Sequence, residues 1–552
     1  MKKISHFDYK QLENLTFGKL DGENDINILN SSFISTSSVT KFLKMEYNYI
    51  LSPKGSGKTA IYKSLENKII HEKYFDYNKY YFVFVDQAFG QLDENLILDN
   101  FNMPENYKSA IFSWALYLFY KILDSISNET RKKELINVNN LFNEFKIYDE
   151  IKNKYQLYSI TDIIKTFNLR LTLNIKGQRL DFGSLPNDLH NDLLDMNTLF
   201  SKLNSFFKDN NKKLVVLIDR LDSFVKREKY SIQKYYIQGL LDTVEELTTY
   251  KSLHFTVFLR TDLFYSLNLN FNIEYDKAKD RVLTLEWEKH EVLKFITKRL
   301  MANNYIKDNF KNQLERIFRH ETYKRISKNG KSINPLKKLL LKISKNKDFQ
   351  YDKNLYYSVY ESFIKLFLPN KVSHINKKGQ ENDIELCHWI FTHFRYQNDF
   401  INPRVIIHFF NTLFIKQYEE YLYDETKTMN ENYLLLEPNE INGFSSLNIF
   451  SKKSIIESYD IIRNEELKNI YFLINDPKEK NLFREIITKS YSKGEYQKSF
   501  EDCKKFGVSN EAYDRLLEYL IILGFFKLRS CSDTDYILPF VFRRNIVIEH
   551  NT

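Results

Sequence analysis

The chain has 552 residues, of which 43% are hydrophobic and 16% aromatic, with only 14 Gly and 9 Pro. That composition excludes a largely disordered chain and suits a multidomain, mainly helical protein with short connections. A net charge of +9 permits nucleic-acid binding without demanding it, and Cys387, Cys503 and Cys531 form no C-x-x-C pair, which argues against a disulfide framework or a zinc site. Met1 to Asp8 contain no apolar signal core, and no run of about 18 apolar residues occurs, so a protein of the reducing cytoplasm that does not engage a membrane is expected.

The first expected elements are a short capped helix within Phe33 to Leu43 and a strand at Tyr47 to Leu51. The strand runs into Ser52-Pro53-Lys54-Gly55-Ser56-Gly57-Lys58-Thr59, and a helix opens at Ala60. This is the phosphate-loop pattern G-x-x-x-x-G-K-[ST], with Ser52 in place of its first glycine. Gly55 and Gly57 let the backbone turn several N–H groups toward one anion, and the helix adds its positive end. Lys54 through Ala60 therefore read as the nucleotide cradle, with Lys58 on the β- and γ-phosphates and the Thr59 hydroxyl on Mg²⁺. The alternative is a Gly/Ser/Lys surface turn, which the strand before and the helix after disfavour.

A second strand is expected at Lys79 to Asp86 and a long, broadly buried helix at Asn106 to Ile126. The interval 128–195 reads as an insertion with a small hairpin at 169–182, because the spacing to the next motif exceeds what a minimal core needs. That motif is Leu214-Val215-Val216-Leu217-Ile218, a strand buried on both faces, ending in Asp219-Arg220-Leu221-Asp222. An acid at the end of such a strand can hold Mg²⁺ through water, which makes Asp219 the metal residue. Asp222 is the candidate to orient or deprotonate the attacking water; Arg220 stands where many ATPases carry a glutamate.

A helix over Ser231 to Thr248 and a strand from Leu253 to Asp262 follow. Arg260, with Thr261, sits where ATPases of the AAA-like class keep a γ-phosphate sensor, although a strand simply emerging into solvent reads the same way. A mainly helical region opens at Leu283, and its segments Lys324–Lys331 and Lys337–Lys347 contain no acid; they could grip DNA or RNA phosphates or form a solvated helix face. Arg404 begins an apolar helix, from which it could reach the γ-phosphate or else pair with a surface acid. At the C-terminal side, a helix from Glu511 to Leu523 stops at Gly524, and strands at Phe525–Arg529 and Tyr536–Arg544 complete a winged-helix-like end. Lys527, Arg529, Arg543 and Arg544 are compatible with phosphate contacts there.

Phe33 to Thr36, K-G-S-G-K-T-A at 54–60, I-D-R-L-D at 218–222, F-L-R-T-D at 258–262, L-x-W at 285–287, P-R at 403–404 and the terminal L-G-F-F at 523–526 with P-F-V-F-R-R at 539–544, in that order, resemble bacterial P-loop ATPases of the STAND/AAA-like group, related to the ORC-type and KAP-type ATPases. The resemblance implies an α/β P-loop NTPase core, a parallel sheet flanked by helices, with a helical insertion, a helical lid and a C-terminal winged-helix-like domain. The expected division is 1–127 and 196–282 for the core, 128–195 for the insertion, 283–430 for the lid and 431–552 for the C-terminal domain. It also implies an ATP- and Mg²⁺-dependent switch, cycling or assembling as a homo-oligomer, of the kind found in anti-phage defence with a partner effector. A weakly hydrolysing scaffold that docks DNA or protein through its winged helix is the alternative. No N-K-x-D follows the Asp219 strand, which favours ATP over GTP.

Overall fold

The computed structural model describes residues 7–20, 24–53, 55–72, 74–86, 107–145, 196–221, 230–266, 280–328, 353–375, 381–395, 401–427, 440–441, 444–445, 449–474, 476–529, 532 and 534–542. It divides into two compact units: Ser37–Pro53 with Lys58–Leu285, and Met1–Thr36 with Lys54–Gly57 and Glu286–Thr552.

The first unit is built on a five-stranded sheet of β1 (Tyr49–Ser52), β2 (Tyr80–Asp86), β3 (Lys213–Asp219), β4 (Leu253–Arg260) and β5 (Val282–Thr284), in the order β2-β3-β4-β1-β5. Every pairing is parallel. Parallel strands are covered on both faces and must be apolar throughout, which is why β1 and β4 are buried along their whole length and β3 over all but its first residue. On one face lie the helices Tyr107–Ser127 and Tyr230–Leu247, which approach closely because Gly239 has no Cβ; one built there would lie 2.8 Å from Ala110 Cβ. The Trp114 indole donates to the Tyr236 carbonyl at 2.8 Å across the same seam. On the other face the helix Lys58–Glu66 sends Tyr62 edge-on to Phe84, with ring centroids 5.3 Å apart.

Residues 128–145, the start of the expected insertion, share the core of this unit: Leu135, Val138, Leu141 and Phe145 are buried with the sheet, and Phe145 meets Phe119 edge-to-face at 5.2 Å. The expected hairpin at 169–182 lies outside the described residues.

The second unit is mainly helical. Phe7, Leu12 and Phe17 belong to its core, Phe17 stacking on Phe410 at 4.4 Å. A buried ion pair, Arg299 to Asp25 at 2.5 Å, ties the same segment to the helix Lys289–Met301, with Arg299 also donating to the Phe17 carbonyl at 3.0 Å. Two antiparallel pairs, β6 (Lys371–Ile375) with β7 (Glu381–Glu385) and β8 (Glu440–Ile441) with β9 (Phe444–Ser445), are small accessories. Toward the C-terminal side come the helix Pro477–Lys493, β10 (Glu495–Gln497), the helices Phe500–Lys505 and Asn510–Ile522, β11 (Lys527–Leu528) and β12 (Asp535–Ile537), forming an antiparallel sheet in the order β10-β12-β11.

Two expected strands are shorter than their apolar residues suggest. The Phe525 and Phe526 N–H groups bond back to the Leu520 carbonyl, at 2.9 and 3.3 Å, and so do not join the ladder. After β12, Pro539 offers no N–H, and Phe540–Phe542 close into a 3₁₀ turn.

Candidate nucleotide site

β1 ends at the buried Ser52, and the helix Lys58–Glu66 begins six residues further on, so the chain must reverse direction in a very short loop. Gly55 and Gly57 make the reversal with φ of +85° and +102°, values that disfavour any residue carrying a Cβ. Lys58 folds back along this turn: its ammonium donates to the Ser52 carbonyl at 2.9 Å, the Ser52 hydroxyl at 3.1 Å and the Pro53 carbonyl at 3.0 Å. Ser52, standing where the pattern has glycine, thus supplies two of these oxygens.

Next along the helix, the Thr59 hydroxyl donates to Asp219 Oδ2 at 2.9 Å. Asp219 is 3% exposed at the end of β3. A hydroxyl and a carboxylate in contact are hard oxygen donors of the type Mg²⁺ takes when it keeps most of its water, and the glycine turn presents backbone amides of the type a polyphosphate takes. The residues present therefore fit both groups. Among the described residues no set of three or more His, Cys, Asp or Glu gathers in metal-holding geometry, so the metal-site reading rests on Thr59 and Asp219.

Asp86, at the end of β2, is the Cα partner of Asp219 in the ladder. Its carboxylate lies 3.6 Å from Arg220 Nε and 3.9 Å from Lys63 Nζ. Arg220 reaches it with φ of +60°, an uncommon backbone for a side-chain-bearing residue and one that favours a functional constraint. Burial, then the charges of Asp86, Glu66 and Asp219, push the nearby Tyr62 phenol well above its usual range, so it stays neutral. Arg260 ends β4, is 6% exposed, and is the Cα partner of Ser52.

The structure thus brings together Lys58, Thr59 and Asp219, with Arg260 alongside Ser52; Ala60 follows in the first turn of the same helix. Lys54 and Asp222 lie outside the described residues. Arg404 belongs to the helical unit, where its Nε donates to the Leu20 carbonyl at 3.1 Å. Lys324 to Lys328 end the helix Asn304–Lys328, and the remainder of the basic stretch lies outside the described residues. Arg529 pairs with Glu495 at 2.9 Å, while Arg543 and Arg544 are not among the described residues.

Sequence reading missed two residues that touch the loop. Gly55–Gly57 group with the helical unit, and there the Trp287 indole donates to the Ser56 carbonyl at 3.1 Å while the Asn402 side chain packs on Gly55. The L-x-W and P-R landmarks lay on or beside these positions, but neither declares a loop contact.

A parallel sheet whose β1 feeds a glycine turn, with the aspartate that ends β3 bonded to the first turn of the helix after that loop, fits a P-loop NTPase core. In keeping with this, the model of the KAP family P-loop domain matches residues 53–243, from the loop into the helix Tyr230–Leu247. That domain suggests nucleotide binding and hydrolysis. No curated protein and no solved structure matches the chain significantly. No described helix is long and apolar enough to cross a membrane.

Proposed function

We propose that the chain binds ATP with Mg²⁺ and hydrolyses it to drive a conformational switch. The observation that carries this reading is the 2.9 Å bond from Thr59 to Asp219, which joins two motifs 160 positions apart. A surface turn would have no use for that join. In this reading the amides of residues 54–60 and Lys58 bind the phosphates, Lys58 exchanging the Ser52 and Pro53 oxygens for phosphate oxygens. Thr59 and, through water, Asp219 hold Mg²⁺, which supplies charge neutralisation on the β- and γ-phosphates. Asp222 orients or deprotonates the attacking water, Arg260 contacts the γ-phosphate, and Arg404 stabilises charge from the lid.

The helix–strand–helix–helix–strand–strand order from Pro477 to Ile537 supports a winged helix, a module for docking DNA or protein, with Lys527, Arg529, Arg543 and Arg544 as its candidate phosphate contacts and the 324–347 stretch as a separate candidate nucleic-acid contact in the helical region. The resemblance to the STAND/AAA-like group supports a cytoplasmic, anti-phage role with a partner effector, through a conformational cycle or a homo-oligomer.

One observation favours the second reading, a scaffold that holds nucleotide with little turnover. The residue after Asp219 is a cation directed at Asp86, so no acid occupies that position. Steady-state ATP hydrolysis by wild type, Lys58→Ala and Asp222→Asn, with and without double-stranded DNA, separates the two. Turnover that vanishes in both variants, with ATP binding kept in Asp222→Asn, supports the switch. A wild type that binds ATP without turnover under either condition supports the scaffold.

A further inference from the structure

Two side chains of the helical unit, Trp287 and Asn402, meet neighbouring peptide groups at the crest of the phosphate loop. The Trp287 N–H bond fixes the Ser56 carbonyl. Because a trans peptide is planar, fixing that carbonyl also fixes the Gly57 N–H, which points the opposite way from the same plane. Orienting one end of the peptide therefore orients a donor that the loop offers to an anion.

Asn402 acts on the adjoining residue. It is 6% exposed, and a Cβ built at Gly55 would overlap its carboxamide, lying 2.8 Å from Nδ2 and 3.0 Å from Cγ. The same side chain caps the helix Pro403–Lys427, Oδ1 accepting from the Arg404 N–H at 3.0 Å. Capping alone would be served as well by aspartate or serine. A carboxamide differs in being both large enough to press on Gly55 and uncharged, and an uncharged group is what a loop that receives polyphosphate tolerates at its back.

We propose that Trp287 and Asn402 are positioning residues for the phosphate loop, so that nucleotide affinity depends on these two side chains. Trp287 sets the direction of the Gly57 N–H, and Asn402 holds Gly55 without adding negative charge. This rests on the nucleotide-binding reading above and assigns its regulation to two residues outside the motif.

The test is equilibrium binding of a fluorescent ATP analogue with Mg²⁺ to the full chain at low and at moderately high salt, alongside the melting temperature without nucleotide. Asn402→Asp keeps size and cap but brings a charge against the loop. Binding is expected to weaken at least tenfold at low salt and less at high salt, where the repulsion is screened, with the nucleotide-free melting temperature close to wild type. Asn402→Ser, which keeps a cap oxygen and withdraws from Gly55, and Trp287→Phe, which removes the N–H and part of the ring while keeping an aromatic beside Phe295, should each weaken binding several-fold. Asn402→Asp and Trp287→Phe proteins that bind as tightly as wild type would overturn the proposal. So would losses that follow the melting temperature and ignore salt, which would reduce Asn402 to a helix cap. A wild type that itself fails to bind would sink the nucleotide reading, a different outcome from a wild type that binds and variants that match it.

Discussion

The five-stranded sheet and the small C-terminal sheet are held by different balances of apolar and polar contacts. In the first, strands such as β3 and β4 are buried along nearly every position, alternate residues such as Val216 and Phe255 joining one large core while Leu217 and Phe258 are buried on the opposite face. In the second, strands of two or three residues set Tyr496 and Tyr536 against Phe526 in an aromatic part of the helical unit's core, and a buried polar cluster adds particular partners. There Asp502 accepts from Tyr496 at 2.8 Å and pairs with Lys489, while Tyr496 and Tyr513 share a hydroxyl contact. The difference teaches that apolar runs encode a parallel core directly, whereas a ladder of two or three residues draws on aromatic packing and polar partners supplied by its neighbours.

The largest effect should come from the apolar side of the comparison. Leu217 is fully buried in β3, and Leu217→Ala is expected to cost about 2–5 kcal/mol in chemical denaturation, through lost burial and the cavity left behind. A cost below 1 kcal/mol would mean the sheet repacks as freely as a surface. An intermediate effect should come from a carboxylate on the sheet side that lacks what Asp502 has. Asp242 is buried on the helix Tyr230–Leu247, accepts from Gln238 at 3.2 Å on Oδ1, and has no bond to Oδ2 among the described residues. Burial, then the charges of Glu246 and Glu245, push its carboxyl up to about 7. The native state therefore holds the proton more tightly than the unfolded chain, and the stability this contributes is present in acid and lost as pH rises through about 7. Asp242→Asn should melt with wild type near pH 4 and above it beyond pH 7; a gap that does not change with pH would break the assignment. The smallest effect belongs to the C-terminal side, where Ser509 caps the helix Asn510–Ile522 by accepting from the Ala512 N–H at 3.2 Å. Ser509→Ala should cost about 1 kcal/mol, read as a small shift in denaturation midpoint.

The same contrast explains what could be read from the amino acids alone. Leu214 to Ile218 announced β3, and Gly55-Ser56-Gly57-Lys58-Thr59 announced the turn, because burial on both faces and positive φ leave few residue types to choose from. Trp287 and Asn402 stayed hidden, since a tryptophan after a strand and an asparagine before a proline each have an ordinary local role and only the folded chain brings them to Ser56 and Gly55. The strand expected through Tyr536 to Arg544 failed at a local detail, the missing N–H of Pro539. Arg220 carried no local sign of its left-handed backbone, which the approach to Asp86 accompanies.

The position of β1 in its sheet bears on how the protein is made. Its ladder partners are β4 and β5, so Tyr49 waits for Val257 on one side and for Val282 on the other. On the ribosome, a nascent chain that has emerged only as far as Asp219 holds the complete loop and its aspartate, yet both edges of the strand that carries the loop are still unzipped. The motif is therefore translated early and takes its shape late, when residues far downstream close the sheet around it.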